Sequence, residues 1–404
     1  MLTWRRFAST VGRSKINHHE IVQTIRHRDT LKLSIDQNGT QKELLIPFIW
    51  LRDHCRSPKC FNYATQQRKN HMKDISKQSS IEEVSVKNNE EVELKWSDDH
   101  VSTFNLDFIL ENSLKKVARK VENYLNLWNS SLKTLPVVEK STITFETFSK
   151  KLFSHGFVIV DGVESTPEAT NSLCSELIPI HDTFFGAFWT FSNDSSKDTV
   201  VHEDTAYGNV GIGPHTDGTY FNQTPGIQVF HCLKAAEKGG DTILVDALQC
   251  AITLKKQNPE YFDLLTKFKI EHNYLEGDPV GSEIYSRSSP SPIIQLDEYG
   301  SIQQIRFNPL DRSPMRCLSF GKEPKEVIEF YKAYEAFAKI CTDEKNFVQI
   351  SLEPGKVIFI DNFRVLHART EFEGYRQMCG CYLSRDNFMA KARPFLSKEI
   401  RDFV

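Results

Sequence analysis

The feature that constrains the fold most strongly is a His-x-Asp pair at His215 and Asp217, together with a lone His367 far along the chain. In an extended segment, residues i and i+2 point to the same side, so His215 and Asp217 can reach one ion. Two imidazoles and one carboxylate can bind one face of an octahedral iron(II) and leave three positions for a bidentate oxo-acid and dioxygen. The pattern therefore predicts a sheet protein in which two remote strands meet at one metal.

The residues around this motif strengthen the prediction, because a three-residue string alone is a weak signal. Gly213, Pro214 and Gly218 flank it and favour a tight turn of the backbone. His367 follows the apolar run VIFIDNFRVL, which is typical of a buried strand. The alternative is that these residues occupy the surface or core without a metal, with His367 as a hydrogen-bonded core histidine.

Composition narrows the class of protein. The chain has 404 residues, 39% of them hydrophobic, which is long for a single domain and ample for a large core. A net charge of −3 gives no general basic field, so we expect no nucleic-acid partner. No apolar run approaches the ~20 residues that span a bilayer. Nine cysteines without the spacing of a small disulfide scaffold favour reduced thiols.

The first residues, MLTWRRFASTVGRSKINHH, differ from the rest of the chain. They carry Arg5, Arg6 and Arg13 and lack any acidic residue before Glu20. An amphipathic, acid-free segment of this kind is typical of a mitochondrial presequence. We therefore predict a presequence at residues 1–18 and location in the mitochondrial matrix; a frayed basic tail is the alternative.

Two domains are expected after this segment. Residues 19–135 are predicted to form a smaller β-rich domain, with a hairpin turn at Asn38–Gly39 and a long polar loop over residues 66–89. A linker is expected around Pro136. Residues 136–404 combine many short strands with a few helices, which indicates a double-stranded β-helix, or jelly roll, with helices packed outside. The predicted fold is therefore mainly β with peripheral helices, and these helices could pair two copies into a homodimer.

A second group of residues suggests a site for an oxo-acid. Arg376 follows His367 after a predicted turn, and a guanidinium there could clamp the distal carboxylate of a dicarboxylate with two hydrogen bonds. Thr242, on the strand after Gly239 and Gly240, could add a hydroxyl donor. The alternatives are a surface ion pair for Arg376 and an ordinary β-branched strand residue for Thr242.

The strings HTDGTYF, GGDTILVD, VLHARTEFEGYR and WLRDHC together resemble the iron(II)/2-oxoglutarate dioxygenases of carnitine biosynthesis. The resemblance implies iron at His215, Asp217 and His367, with 2-oxoglutarate held by Arg376 and Thr242. It also implies dioxygen as a cosubstrate and ascorbate as the reductant. The string GYRQMCGCYLSRD resembles the members that act on trimethyllysine more than those that act on γ-butyrobetaine. This resemblance implies hydroxylation of trimethyllysine at C3, the first step of that pathway.

A quaternary ammonium cannot donate a hydrogen bond, so aromatic faces must recognise it. By resemblance, the rings would come from Phe185, Trp189, Tyr207 and Tyr382. Family members usually have Tyr at the position of Phe185, so one hydroxyl is lost while the ring remains; core packing is the alternative role. Asp204 would pair with the α-ammonium of trimethyllysine and would repel a substrate that has only a carboxylate there.

The segment WLRDHCRSPKC places Cys55 and Cys60 near each other in sequence, and His100 follows. By resemblance, the matching region of the butyrobetaine sibling holds zinc with three cysteines and a histidine. Ser57 stands here in place of the middle cysteine, and serine is a poor zinc ligand. Zinc held by the remaining three residues, with His54 or water as the fourth ligand, competes with buried thiols that pack the domain.

Rival functions remain at this stage. A metal-dependent hydrolase could use the same His, Asp, His set and would need neither dioxygen nor 2-oxoglutarate. A module that binds quaternary amines without turnover is a further alternative.

Overall fold

The computed structural model describes residues 19–69, 72–113, 121–194, 205–277, 283–315 and 323–401. The predicted presequence at residues 1–18 lies outside these ranges. The chain divides into two compact units, Met1–Val117 and Ala118–Val404. Within the described part of the chain, none of the helices has the length and apolar character that crossing a bilayer requires.

The first unit consists mostly of antiparallel strands, in chain order β1 His19–Arg26, β2 Thr30–Gln37, β3 Thr40–Pro47, α1 Phe48–Asp53, β4 Phe61–Asn62, β5 Gln67–Arg68, β6 Ile81–Lys87, β7 Glu91–Trp96, β8 Val101–Asn105 and α2 Leu106–Ser113. Strands β1-β2-β3 and β6-β7-β8 form two three-stranded sheets. Asn38 and Gly39 turn between β2 and β3 with φ of 52° and 82°, as the predicted hairpin requires.

The long polar loop predicted over residues 66–89 is wrong in its second half, where β6 pairs with β7. The strand was hidden because Ile81 is its only fully buried residue, while charged side chains such as Glu82, Glu83 and Lys87 are exposed. A strand at the edge of a sheet keeps its ladder of backbone hydrogen bonds whatever its side chains are.

The elements of the second unit are, in chain order, β9 Val137–Glu139, α3 Phe145–His155, β10 Phe157–Asp161, α4 Pro167–Leu177, β11 Trp189–Ser192, β12 Ile212–His215, β13 Ile227–Lys234, β14 Lys238–Gly239, β15 Thr242–Asp246, α5 Ala247–Gln257, α6 Pro259–Lys267, β16 Lys269–Ile270, β17 Asn273–Glu276, β18 Ile284–Arg287, β19 Ser291–Pro292, β20 Ile294–Leu296, β21 Ile302–Ile305, α7 Pro324–Thr342, β22 Phe347–Ile350, β23 Lys356–Asp361, β24 Val365–Arg369, β25 Phe372–Glu373, β26 Gln377–Leu383, α8 Arg385–Ala392 and α9 Lys398–Arg401.

Two sheets dominate this unit. The larger has the order β11-β26-β13-β23-β10-β9, and the smaller has the order β12-β24-β15-β22. Their facing sides share one apolar cluster, which includes Ile159 and Ile358 from the larger sheet and Leu244 from the smaller. Helices pack on the outer faces, α3, α4 and α8 on the larger sheet and α5, α6 and α7 on the smaller. The prediction of a mainly β protein with peripheral helices is confirmed.

The division between the units falls earlier than the boundary expected at residue 135. Trp128 is buried, its ring lies 5.3 Å from that of Phe157, and its indole N–H donates to the His155 carbonyl. Val137 then pairs in parallel with Ile159 of β10. Residues around Trp128 therefore pack with the second unit, and Pro136 leads into a strand of its larger sheet.

Candidate metal and oxo-acid site

His215 and His367 face each other directly across the antiparallel strands β12 and β24. Cross-strand partners place their side chains on the same face of a sheet, and the two ring centroids are 4.4 Å apart. The Nε2 atoms of His215 and His367 lie 3.3 and 3.5 Å from Oδ1 of Asp217. The structure thus brings together the three donors predicted from the sequence, with all ligand atoms within 4.8 Å of one another.

Hydrogen bonds fix two of these donors. Asn362, on the turn between β23 and β24, accepts from the Asp217 amide through Oδ1 and donates through Nδ2 to the carbonyls of Asp217 and Pro225. Nδ1 of His215 lies 2.8 Å from the Gly213 carbonyl. Because that nitrogen must carry the proton to donate, Nε2 of His215 is left as a lone-pair donor that faces the carboxylate.

The site also holds the charges that a divalent cation needs. Burial opposes ionisation of Asp217, but His367 and His215 outweigh it and hold the pKa of that carboxyl well below its usual range. Burial lowers the pKa of His367. For His215 burial acts in the same direction, but the Asp217 carboxylate outweighs it and raises the pKa. Two imidazole nitrogens and one carboxylate oxygen that converge on a point fit iron(II).

Arg376 and Thr242 line the same cavity, which has a volume of about 450 Å³. Arg376 immediately precedes β26, its amide donates to Oδ1 of Asn193, and its side chain is 8% exposed. Burial lowers the pKa of its guanidinium, which lies 5.5 Å from the Phe372 ring and makes no ion pair with any carboxylate among the described residues. A buried cation of this kind is suited to an anionic ligand.

The glycine pair before Thr242, Gly239 and Gly240, lies against the segment that leads to Arg376. Gly239 has φ of +75°, and a Cβ there would lie 2.2 Å from the Glu371 carbonyl oxygen. At Gly240 a Cβ would approach Nε of Arg376 to 3.4 Å. The turn therefore allows a close approach of the backbone to the segment that carries Arg376.

Aromatic side chains form another part of the cavity wall. Trp189 and Tyr382 lie 4.7 Å apart, and Phe185 lies 5.4 Å from Tyr274 in an edge-on contact. Tyr382 does more than the sequence predicted, because its hydroxyl also donates to Oδ2 of Asp217 over 3.1 Å. Asp204 lies outside the described residues. Tyr207 ends a 3-10 turn, Thr205–Tyr207, but its side chain is outside what the structure describes.

Sequence reasoning missed several cavity residues. Tyr220, Tyr274 and Asp311 line it, as does Gln228, a fully buried amide whose Oε1 has no hydrogen-bond partner among the described residues. Gln228 interrupts the apolar strand IQVFHCLK, and a polar residue there was the available signal. Asn362 had a similar signal, because it follows the buried strand KVIFID directly.

The cysteine cluster of the first unit is well formed. Nε2 of His100 lies 3.3 Å from Sγ of Cys55, from Sγ of Cys60 and from Oγ of Ser57. Burial raises the pKa of the Cys60 thiol and lowers the pKa of His100. His54, proposed as a fourth ligand, instead stacks on Trp50 at 4.1 Å with Nδ1 near its carbonyl. Two serine hydroxyls lie beside the cluster instead: Ser57 near both His100 and Cys55, and Ser102, which donates to Sγ of Cys55 over 2.9 Å.

Comparison with known proteins identifies the class. Residues 126–382 match the family described as "Taurine catabolism dioxygenase TauD, TfdA family". Residues 24–109 match "Gamma-butyrobetaine hydroxylase-like, N-terminal". The first match includes all three predicted metal ligands.

Full-length relatives narrow this class further. The trimethyllysine dioxygenase of Meyerozyma guilliermondii is 34% identical over 92% of this chain and 95% of its own. The mitochondrial trimethyllysine dioxygenase of Mus musculus is 35% identical over 91% of this chain and 86% of its own. The gamma-butyrobetaine dioxygenase of Pongo abelii is 27% identical over 87% and 92%. The chain therefore belongs to the TauD, TfdA dioxygenase family and, within it, to the trimethyllysine dioxygenases, which confirms the resemblance inferred from sequence.

Proposed function

We propose that this chain is an iron(II)- and 2-oxoglutarate-dependent dioxygenase that hydroxylates N6,N6,N6-trimethyl-lysine at C3, the first step of carnitine biosynthesis. One observation carries the proposal: His215, Asp217 and His367 converge in a cavity that also contains the buried guanidinium of Arg376. The relatives named for this activity support the same substrate. The lower identity to the γ-butyrobetaine enzyme makes that substrate the weaker alternative.

His215, Asp217 and His367 would hold the iron, which when bound supplies the activation of dioxygen coupled to decarboxylation of 2-oxoglutarate to succinate and carbon dioxide. Arg376 would bind the distal carboxylate of 2-oxoglutarate, and the Thr242 hydroxyl would add a donor. Both side chains are over nine-tenths buried, so the charged end of the cosubstrate would be sealed from water. The work of the protein is then to orient two substrates, because no side-chain acid or base is needed at C3.

The trimethylammonium would lie against Phe185, Trp189, Tyr207 and Tyr382. Trp189 and Tyr382 support this most directly, since they contact each other at the cavity wall. Asp204 would pair with the α-ammonium. We also propose that the two facing sheets of the second unit are the double-stranded β-helix of this family, with the iron between them.

Anaerobic reconstitution tests the core of this proposal. Addition of iron(II) and 2-oxoglutarate should produce a weak visible metal-to-ligand charge-transfer band, and Arg376→Ala should remove it at limiting cosubstrate. Succinate formation should then depend on trimethyllysine far more than on γ-butyrobetaine. Turnover without dioxygen or 2-oxoglutarate would instead favour a metal-dependent hydrolase. Ascorbate is expected to sustain turnover by keeping the iron reduced.

For the first unit we propose a zinc site formed by Cys55, Cys60 and His100, completed by Ser57 or water. The common 3.3 Å separations from His100 support it, although the serine hydroxyl is a weaker ligand than a thiolate. Metal analysis of protein purified without chelator should find about one zinc per chain. Ser57→Cys should tighten zinc binding, whereas His100→Ala should release zinc without changing iron binding.

We propose mitochondrial location, with residues 1–18 as a presequence. The names of the mammalian relatives support the location. Fusion of these residues to a fluorescent reporter should send it to mitochondria, and replacement of Arg5, Arg6 and Arg13 by Gln should leave the reporter in the cytosol.

A further inference from the structure

Tyr382 links the aromatic wall of the cavity to the metal ligands. Its ring lies 4.7 Å from Trp189, and its side chain is 6% exposed. Its hydroxyl donates to Oδ2 of Asp217 over 3.1 Å. One side chain therefore contacts both the region proposed for the substrate cation and the carboxylate proposed for iron.

Because of this contact, the two carboxylate oxygens of Asp217 have different partners. Oδ1 faces Nε2 of both His215 and His367, at 3.3 and 3.5 Å. Oδ2 accepts a hydrogen bond, and the hydroxyl of Tyr382 is its donor.

The backbone holds Tyr382 in this position from two sides. On β26, Tyr382 pairs with the fully buried Gln228 of β13. Its carbonyl accepts the His181 amide over 2.8 Å. With its backbone fixed in the sheet, the ring can reach Asp217 without a rearrangement of the strand.

We propose that Tyr382 is a positioning residue for the metal as well as a wall of the substrate pocket. Its hydroxyl would hold Asp217 so that Oδ1 alone binds, and this would keep three coordination positions for the oxo-acid and dioxygen. Without the hydroxyl, Asp217 loses the partner that orients it, so Oδ1 binds the ion less well and Oδ2 can turn toward a position that these ligands require. The inference rests on the proposed function, because it needs a metal at the triad.

The test uses Tyr382→Phe, which keeps the ring and removes only the hydroxyl. Tyr274→Phe is the matched control, since Tyr274 lines the same cavity but its hydroxyl contacts Glu276 instead. Cobalt(II) affinity of the full-length protein is measured anaerobically by competition with a chelator. Tyr382→Phe should bind cobalt(II) about 10- to 100-fold more weakly and change its visible spectrum, whereas Tyr274→Phe should stay within about twofold of the parent.

A third variant separates the two roles of the tyrosine. Trp189→Leu should weaken trimethyllysine binding to the cobalt-loaded protein and leave cobalt(II) affinity unchanged. A second measurement uses the parent protein and therefore does not depend on a variant that folds. Cobalt(II) binding to the parent should perturb the near-ultraviolet absorption of tyrosine.

Equal cobalt(II) affinity and identical spectra for Tyr382→Phe and the parent would overturn the inference, as would an equal loss in Tyr274→Phe. If Tyr382→Phe does not fold, an unperturbed tyrosine absorption in the parent would have the same consequence. Failure of the proposed function gives a different result, in which the parent itself binds no cobalt(II) or binds it as well after His367→Ala.

Discussion

His215 and His367 are directly opposed residues on neighbouring antiparallel strands, and their ring centroids are 4.4 Å apart. The sheet itself therefore sets the separation of the two imidazoles, and Asp217 joins them because it follows two residues after His215. Ligands held on strands are more precisely placed than ligands held on loops. The residues that hold the three ligands in place through hydrogen bonds or packing should accordingly control metal affinity.

Asn362 holds the backbone of Asp217 in this way. It is fully buried, and its amide makes three hydrogen bonds, to the amide and carbonyl of Asp217 and to the Pro225 carbonyl. Asn362→Ala leaves these backbone groups unpaired and should lower the free energy of unfolding by about 1–3 kcal/mol for each group that water does not reach. Chemical unfolding and cobalt(II) titration measure the two effects. An Asn362→Ala protein with parental metal affinity would show that Asp217 needs no such support.

Arg364 and Asp246 form a buried ion pair at the base of the strand that carries His367. Nε and Nη2 of Arg364 donate to Oδ1 and Oδ2 of Asp246 over 3.1 and 2.8 Å, and Arg364 also donates to the Ser154 carbonyl. Arg364→Met leaves a buried carboxylate without its partner and should destabilise the protein by about 3–5 kcal/mol.

The exposed Lys238–Glu373 pair is the matched control for that substitution. Lys238→Met should change the free energy of unfolding by at most about 1 kcal/mol, because solvent screens the pair. Urea unfolding of both variants measures these free energies. Comparable losses of stability in Arg364→Met and Lys238→Met would contradict a special role for the buried pair.

Acid should lower the folding stability of the protein through His231, which is fully buried on β13. Its Nε2 accepts the Gly355 amide, and its Nδ1 lies 2.7 Å from the Thr170 hydroxyl. Burial lowers the pKa of His231 to about 4, whereas the unfolded chain binds this proton near pH 6.5. The unfolded state therefore binds more protons between these values, and His231 should reduce stability by up to about 3 kcal/mol as the pH falls from 6.5 to 4.

His231→Gln tests this, because an amide can accept from Gly355 and donate to Thr170 but does not titrate in this range. The variant should be less stable than the parent at pH 7, and the difference should shrink as the pH approaches 4. Parallel stability curves for the two proteins would exclude His231 as the source of the pH dependence.

Gly380 is the cross-strand partner of Trp189 and lets its side chain approach β26 closely. A Cβ at Gly380 would be 2.1 Å from the Val229 carbonyl oxygen and 3.5 Å from Nε1 of Trp189. Gly380→Ala must therefore shift a strand, and we expect a loss of about 1–3 kcal/mol in stability together with weaker trimethyllysine binding. Gly213→Ala, where nothing lies within 4 Å, should leave stability nearly unchanged. Calorimetry of binding and thermal unfolding provide the readouts.

The sequence predicted what depends on local pattern. The spacing of His215 and Asp217, the strand before His367 and the turn before Arg376 each follow from the chain itself. Tyr382 could be assigned to the aromatic wall only by resemblance, and its bond to Asp217 was beyond prediction because it depends on how β26 lies beside the loop after β12. Similarly, Ser57 was set aside as a poor ligand, yet folding places its hydroxyl as close to His100 as the two thiols. Charged exposed residues hid β6, and the burial of Trp128 moved the boundary between the units.

The order of strands in the smaller sheet has a consequence for synthesis. β12 pairs within that sheet with β24, and β24 lies far toward the carboxyl end of the chain. Until the ribosome has released β24, His215 and Asp217 have no neighbouring strand of that sheet to hold them. Iron can thus be captured only after nearly the whole polypeptide has emerged, so prematurely terminated chains would be metal-free rather than partly active.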